Sequence, residues 1–295
     1  MIGRKVLRSA LAFAVTATVS TSLPQAGRAA AVQCPAPLTQ GVPKRQGRAP
    51  RGSEVMQALQ GLQGRQRDDL VMEQVLSGNL PPFLRKLVPV DIAGVLANGE
   101  RMLVTICVMP EYLAVGDNRD FVRVPMGLAS AARIASELGF LLPTPKMVDA
   151  IYNRAQIRLA PRPMKPTAQM ESTDYLMRHD QIIDAQRAQS PSVLAALTSG
   201  QKKDIVLTNR LRSKPGRVAI YGWHRQNGRP IQPLSTVHGA EYADYSHGVR
   251  LVSQTAFVNG RPTSLAEIMA DRELAGIVSS EGPIADATGL LATQF

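Results

Sequence analysis

Three Asn-Gly dipeptides, at residues 98–99, 227–228 and 259–260, each stand beside runs rich in β-branched and apolar residues. Asn and Gly tolerate the positive φ values that a two-residue hairpin turn demands, so each dipeptide turns the chain back on itself as an antiparallel pair. The first joins KLVPVDIAGVLA to ERMLVTICV and the second joins RVAIYGWHR to RPIQPLS. The third predicts a hairpin or an exposed loop ahead of a final helix around SLAEIMAD. If Asn227 and Gly228 are the whole of their loop, Arg229 lies opposite Gln226, Ile231 opposite His224, and Ser235 opposite Ile220.

Between the hairpins the hydrophobic period changes. Val55, Leu59 and Leu62, then Leu70, Val71, Val75 and Leu76, recur at helical spacing and predict two short helices. Leu128, Ala131, Ala132, Ala135 and Leu138 share one helical face, and Gly139 follows as a C-cap. Thr144 and Pro145 mark the start of the next helix, and another runs through STDYLMRHDQIIDAQRAQ. With no βαβαβ rhythm, the expected class is α+β: N-terminal and central helices packed on a mainly antiparallel sheet built from hairpins. Residues 32–53, rich in Pro, Gly and basic side chains, read as a flexible basic linker, and 54–295 as one globular domain. If that domain divides, the proline-rich APRPMKPTAQ places the boundary near 160–170.

The first 31 residues read as a signal peptide. A basic start (Arg4, Lys5, Arg8) leads into a short apolar run, and Ala29-x-Ala31 fits a signal-peptidase site. The run is diluted by threonine and serine and is shorter than the roughly 20 apolar residues of a membrane span. The expected location is therefore secreted or periplasmic, with no transmembrane anchor after cleavage. Cleavage removes Arg4, Lys5, Arg8 and Arg28 and no acid, taking the formal charge from +11 to +7. A basic exported chain favours an anionic partner, an extracellular or envelope polymer rather than a nucleic acid. In an oxidising compartment Cys34 and Cys107 read as one disulfide. The alternative, a nucleophilic Cys107, requires a helix N-terminus or neighbouring base that the sequence does not display.

Residues 221–248 carry the sole tryptophan, three of six tyrosines and three of four histidines. Within them, HGAEYADYSHG places His238, Asp244 and His247 in ten residues, short enough for one compact turn to bring two imidazoles and a carboxylate together. Such a group can transfer protons near neutral pH, with Asp244 orienting or stabilising a histidine. Trp223, Tyr242 and Tyr245 suit a platform for a sugar ring or peptide, with His224 beside them. Lys203, in the Lys202-Lys203 pair at the opening of the sheet, can hold a substrate carboxylate. His179 falls in a helical region outside the cluster. Ser246 and His247, as strand neighbours, point to opposite faces. The segment GDNRDFVR, with Asp117, Asp120 and Arg123, reads as a solvated turn.

A zinc set of His224, His238 and His247 is the metal alternative, but the hairpin register separates His224 from His238 by roughly 13 Å, whereas zinc ligands lie about 2 Å from one ion. No phosphate loop, dinucleotide fingerprint, haem-attachment motif or nucleic-acid module is present, so no cofactor is expected. The functional expectation is a secreted hydrolase acting on a cell-envelope or other extracellular polymer by histidine/aspartate acid–base chemistry. The alternatives are a non-catalytic secreted protein that binds anionic envelope polymers and a zinc-dependent hydrolase or peptidase.

Overall fold

The computed structural model describes residues 1–3, 32–190 and 193–292. The signal-peptide reading falls almost entirely on residues 4–31, outside the described residues. From the N-terminal side the elements are α1 (Gly52–Ala58), α2 (Gly64–Leu76), β1 (Val88–Val95), β2 (Arg101–Val108), β3 (Ala114–Gly116), β4 (Phe121–Arg123) and α3 (Leu128–Leu138). Next come β5 (Phe140–Leu141), α4 (Pro145–Arg154), β6 (Ile157–Arg158), α5 (Thr173–Arg187), β7 (Thr198–Ser199), β8 (Lys203–Ile205), β9 (Ile220–His224) and β10 (Pro230–Ser235). The chain continues through β11 (His247–Gly248), β12 (Val252–Ser253), β13 (Thr255–Val258), β14 (Arg261–Ser264), α6 (Leu265–Ala270), α7 (Ala275–Val278) and α8 (Ala287–Ala292). The fold is α+β, with mainly antiparallel sheets.

Local chemistry sets these boundaries. Gly139 takes the left-handed conformation (φ 81°) that ends α3. Thr144 accepts a hydrogen bond from the Met147 amide at the start of α4, and Ser172 does the same for Tyr175 at the start of α5. All three Asn-Gly sites turn hairpins, but only Asn259-Gly260 is a two-residue loop, with both residues at positive φ. At the other two sites only the glycine is at positive φ, and the loop gains a third residue. The β9–β10 register is consequently one residue away from the expected one near the turn. Pro230, not Ile231, faces His224, and an irregularity between Gln232 and Ser235 restores the expected Ser235–Ile220 pair.

Two sheets organise the body. Five strands run in the order β14-β13-β2-β12-β5, with β1 added to β2 by the first hairpin. The second sheet runs β10-β9-β8-β11, and β11 lies parallel to β8. Helix α4 packs against both β1 and β9. One apolar core runs through α1 to α4 and both sheets, and a smaller cluster of Tyr175, Leu176, Trp223 and Tyr245 lies beneath Met164 and Met170.

Two composition-based expectations meet a different local structure. Residues 32–53 lie against the body rather than forming a free linker. Cys34 is bonded to Cys107, Val42 is buried, and the Arg45 guanidinium donates to Asn79 Oδ1 and to the carbonyls of Ala49, Pro50 and Gly116. The proline-rich segment 160–169 is a strap across the small aromatic cluster. The Met164 amide donates to the Tyr245 hydroxyl, and the Tyr175 hydroxyl donates to the Lys165 carbonyl. The described residues from 32 onward form one compact body. Among the described residues no helix is long and apolar enough to cross a membrane.

Candidate functional site

The HGAEYADYSHG segment leaves β10, crosses the N-terminus of α3 and re-enters the second sheet as β11. The Ala240 carbonyl accepts from the Leu128 amide at 2.7 Å, fixing the segment to that helix. A Cβ on Gly127 would come within 2.8 Å of the Ala240 carbonyl oxygen, so a glycine lets the two backbones meet. After this anchor the chain folds tightly: the Asp244 carbonyl accepts from the His247 amide, while Asp244 Oδ1 accepts from both the amide and the hydroxyl of Ser246. This local turn, which needs no distant partner, is the reason the acid and the histidine converge.

The turn brings His238, Tyr242, Asp244 and His247 together. His238 is half-buried and stacks on Tyr242 with ring centroids 4.3 Å apart. Tyr242 donates its hydroxyl to Asp244 Oδ2 at 3.1 Å and presents its ring 5.6 Å from that of His247. His238 and His247 are 6.3 Å apart, centroid to centroid. His247 has no solvent exposure, and neither ring nitrogen has a hydrogen-bond partner among the described residues.

Electrostatics separate the roles of these groups. Burial pushes His247 down to about 4 against the pull of the Asp244 carboxylate, and nearby Lys203, His238 and Lys202 push in the same direction as burial. His247 is therefore neutral at neutral pH. Burial alone would raise Asp244, but His247, Lys203 and the two Ser246 hydrogen bonds outweigh it and hold the carboxyl below its ordinary value. Asp244 is thus an ionised acceptor in a nearly dry setting. Tyr242 is raised by burial and by the charge it donates to, so it remains a neutral donor.

The other expected site residues are distributed differently. Trp223 and Tyr245 are buried packing groups rather than an open platform, and Tyr245 is pinned at its hydroxyl by Met164. Trp223 holds a positive φ of 57°, uncommon for a bulky residue and a sign of local strain. Lys203 is half-buried, with its ammonium 5.2 Å from the Trp223 ring centre. His224 is held elsewhere, stacked on Tyr152 and 2.8 Å from Asp149 Oδ1, which also accepts from Tyr221. Among the described residues no three His, Cys, Asp or Glu side chains are arranged to hold a metal ion, so His224, His238 and His247 do not form one ligand set.

Several residues behind the site were not anticipated as part of it. His179, expected outside the cluster, is fully buried, with its ring 4.9 Å from Tyr245 and its Nδ1 3.5 Å from the Lys202 ammonium. Burial and the Lys202 charge push His179 far down. Lys202 donates to the Tyr245 carbonyl at 2.7 Å, and burial lowers it to about 8. Arg123, expected on a solvated turn, is also buried and forms ion pairs with Glu111, Asp180 and Asp184. The signal for α5 was present: Tyr175, Leu176, His179, Asp180 and Ile183 repeat at helical spacing, with two polar residues on the inward face.

Gly248 follows His247 in β11 and packs closely on Tyr112. A Cβ there would lie 2.6 Å from the Tyr112 ring, whose hydroxyl donates to the buried carboxylate of Asp204 at 2.8 Å. On the outer side, a cleft of about 630 Å³ is lined by Asp68, Asp69, Gly127, Ser130, Glu241 and Tyr242, among others. Tyr242 is the residue common to the cleft and the buried acid–imidazole group. Asp68, largely removed from water, is raised to about 6 by burial despite the neighbouring Arg67 and a hydrogen bond from the Gly127 amide.

No protein-family model, curated protein or solved structure matches the chain.

Proposed function

We propose that this protein is an exported hydrolase that acts on a cell-envelope or other extracellular polymer, with the cleft beside Tyr242 receiving the substrate. The observation that carries this reading is the connection made by Tyr242, which lines the cleft and contacts His238, Asp244 and His247. Water is the nucleophile in this scheme, because the Ser246 hydroxyl is buried and committed to Asp244. His238, half-buried and stacked on the cleft-lining Tyr242, takes the proton as water attacks and returns it to the leaving group. Asp244 fixes Tyr242 by a hydrogen bond and opposes positive charge developing on the imidazoles. Neutral His247 offers both a donor and an acceptor at the inner end. Export rests on the signal-like N-terminus and accords with the Cys34–Cys107 disulfide. The polymer assignment rests on the basic balance of the chain.

Screening muropeptides, glycans and simple esters by mass spectrometry, with wild type beside His238→Ala, tests the reading. Cleavage by the wild type and its loss in the variant support it. If the folded protein cleaves none of these substrates, or the variant matches wild type, the catalytic reading fails and a binding protein is the better account.

A further inference from the structure

The opposite end of the second sheet carries a different chemistry. Arg225 and Arg229 are exposed and face each other across the tip of the β9–β10 hairpin, the Arg225 amide donating to the Arg229 carbonyl at 2.9 Å. Directly opposed like charges weaken a hairpin unless an anion sits between or above them. A third guanidinium is fixed against the same tip. Arg158 donates from Nε to the Tyr152 carbonyl at 3.0 Å, and its guanidinium carbon lies 5.3 Å from the Tyr152 ring centre. Its own carbonyl accepts from the Gln226 side chain at 3.0 Å, and the Tyr152 hydroxyl donates to the Arg225 carbonyl at 2.7 Å. Hairpin tip, α4 and β6 are thus tied into one frame. Among the described residues none of these three arginines forms an ion pair. The nearby Asp149 carboxylate already serves His224 and Tyr221.

We propose that Arg158, Arg225 and Arg229 form an anion-binding surface, separate from the candidate catalytic group, that holds an acidic polysaccharide. Guanidinium groups suit carboxylate and phosphate oxygens alike through their forked donors. The tip residues Gln226, Asn227 and Gly228 are polar or lack a side chain, so the hairpin has nothing apolar to insert into a lipid bilayer. Tyr152 is buried beneath Arg158, leaving no open ring on which a nucleic-acid base could stack. A flexible, hydrated polyanion matches what remains. The surface serves equally to keep an enzyme on its polymer or to anchor a binding protein, so it stands independently of the proposed reaction.

The test is binding of the exported protein to polygalacturonate, measured by isothermal titration calorimetry over a series of salt concentrations. Oligothymidylate and vesicles containing phosphatidylglycerol form the comparison arms. Wild type should bind polygalacturonate with an affinity that falls as salt rises, and Arg225→Gln/Arg229→Gln should reduce the log–log salt slope by about 2. Arg261→Gln, removing an exposed arginine on β14, should leave that slope unchanged. His238→Ala should bind like wild type. Equal weakening by Arg261→Gln would mean diffuse attraction to net charge and would overturn the assignment, as would undiminished binding by the double variant. Tighter binding to oligothymidylate or to vesicles than to polygalacturonate would reject the polysaccharide as the partner.

Discussion

Replacing His247 with Gln removes the titrating group at the centre of the site while keeping a polar side chain of similar length. In the folded protein burial holds this imidazole at about 4, against an ordinary value of 6.5. Between those values the unfolded chain binds a proton that the folded chain refuses, so wild-type stability from this group is present above about 6.5 and declines as pH falls toward about 4. A separation of that size corresponds to about 3 kcal/mol. Other groups act in the same window. His179, also depressed, adds to the loss on acidification, whereas Asp204 and Asp68, both raised to about 6 with burial as the leading cause, bind their proton more readily when folded and oppose it. The wild-type curve alone therefore mixes signs, and the difference between wild type and His247→Gln removes the shared contributions, leaving the histidine together with the Asp244 carboxyl that it holds down. Urea unfolding across this range should show the stability advantage of wild type over His247→Gln shrinking by about 3 kcal/mol as the medium becomes acidic. A difference that stays constant with pH would refute the picture of a desolvated, neutral His247.

Four further outcomes follow from the same contacts. Gly248→Ala should destabilise the protein by about 1–3 kcal/mol in denaturant unfolding, because the added methyl displaces Tyr112 from its place above the strand; an unchanged midpoint would mean that the ring yields freely. Removing the disulfide with Cys34→Ser/Cys107→Ser should lower stability by about 4 kcal/mol for a crosslink between residues 73 apart, measured by the same method. Intact-mass analysis of exported protein should place the mature N-terminus near Val32, and retention of residues 1–31 would count against the signal-peptide reading. Tyr242→Phe, which removes the donor to Asp244, should reduce turnover while shifting stability by only about 1 kcal/mol.

The parts of the fold legible in the sequence are those decided by neighbouring residues. Gly139 ends α3, Thr144 and Ser172 start α4 and α5, and all three Asn-Gly pairs turn hairpins, because each effect works within about one turn of chain. The register after Asn227-Gly228 was not legible, since a third loop residue and a later irregularity shift and then restore the pairing. In the candidate site, Asp244 and His247 meet through a local turn and were accessible to sequence reasoning. His179, Lys202 and Arg123 reach the same region from three distant segments. No short-range pattern in the sequence brings them together, whereas tertiary packing surrounds them with carboxylates, carbonyls and aromatic rings. The proline-rich segment 160–169 was equally opaque: its composition suggested a boundary, while its hydrogen bonds to Tyr245 and Tyr175 hold it as a strap.

The most direct measurement of the proposed acid–base role is turnover by Asp244→Asn on whichever envelope substrate the wild type cleaves. Asparagine retains an oxygen to accept from Ser246 and an amide that can donate to the Tyr242 oxygen, so the turn can persist while the charge is lost. The account predicts a fall in kcat on the order of a hundredfold or more with little change in thermal midpoint; wild-type turnover in a folded Asp244→Asn protein would contradict it.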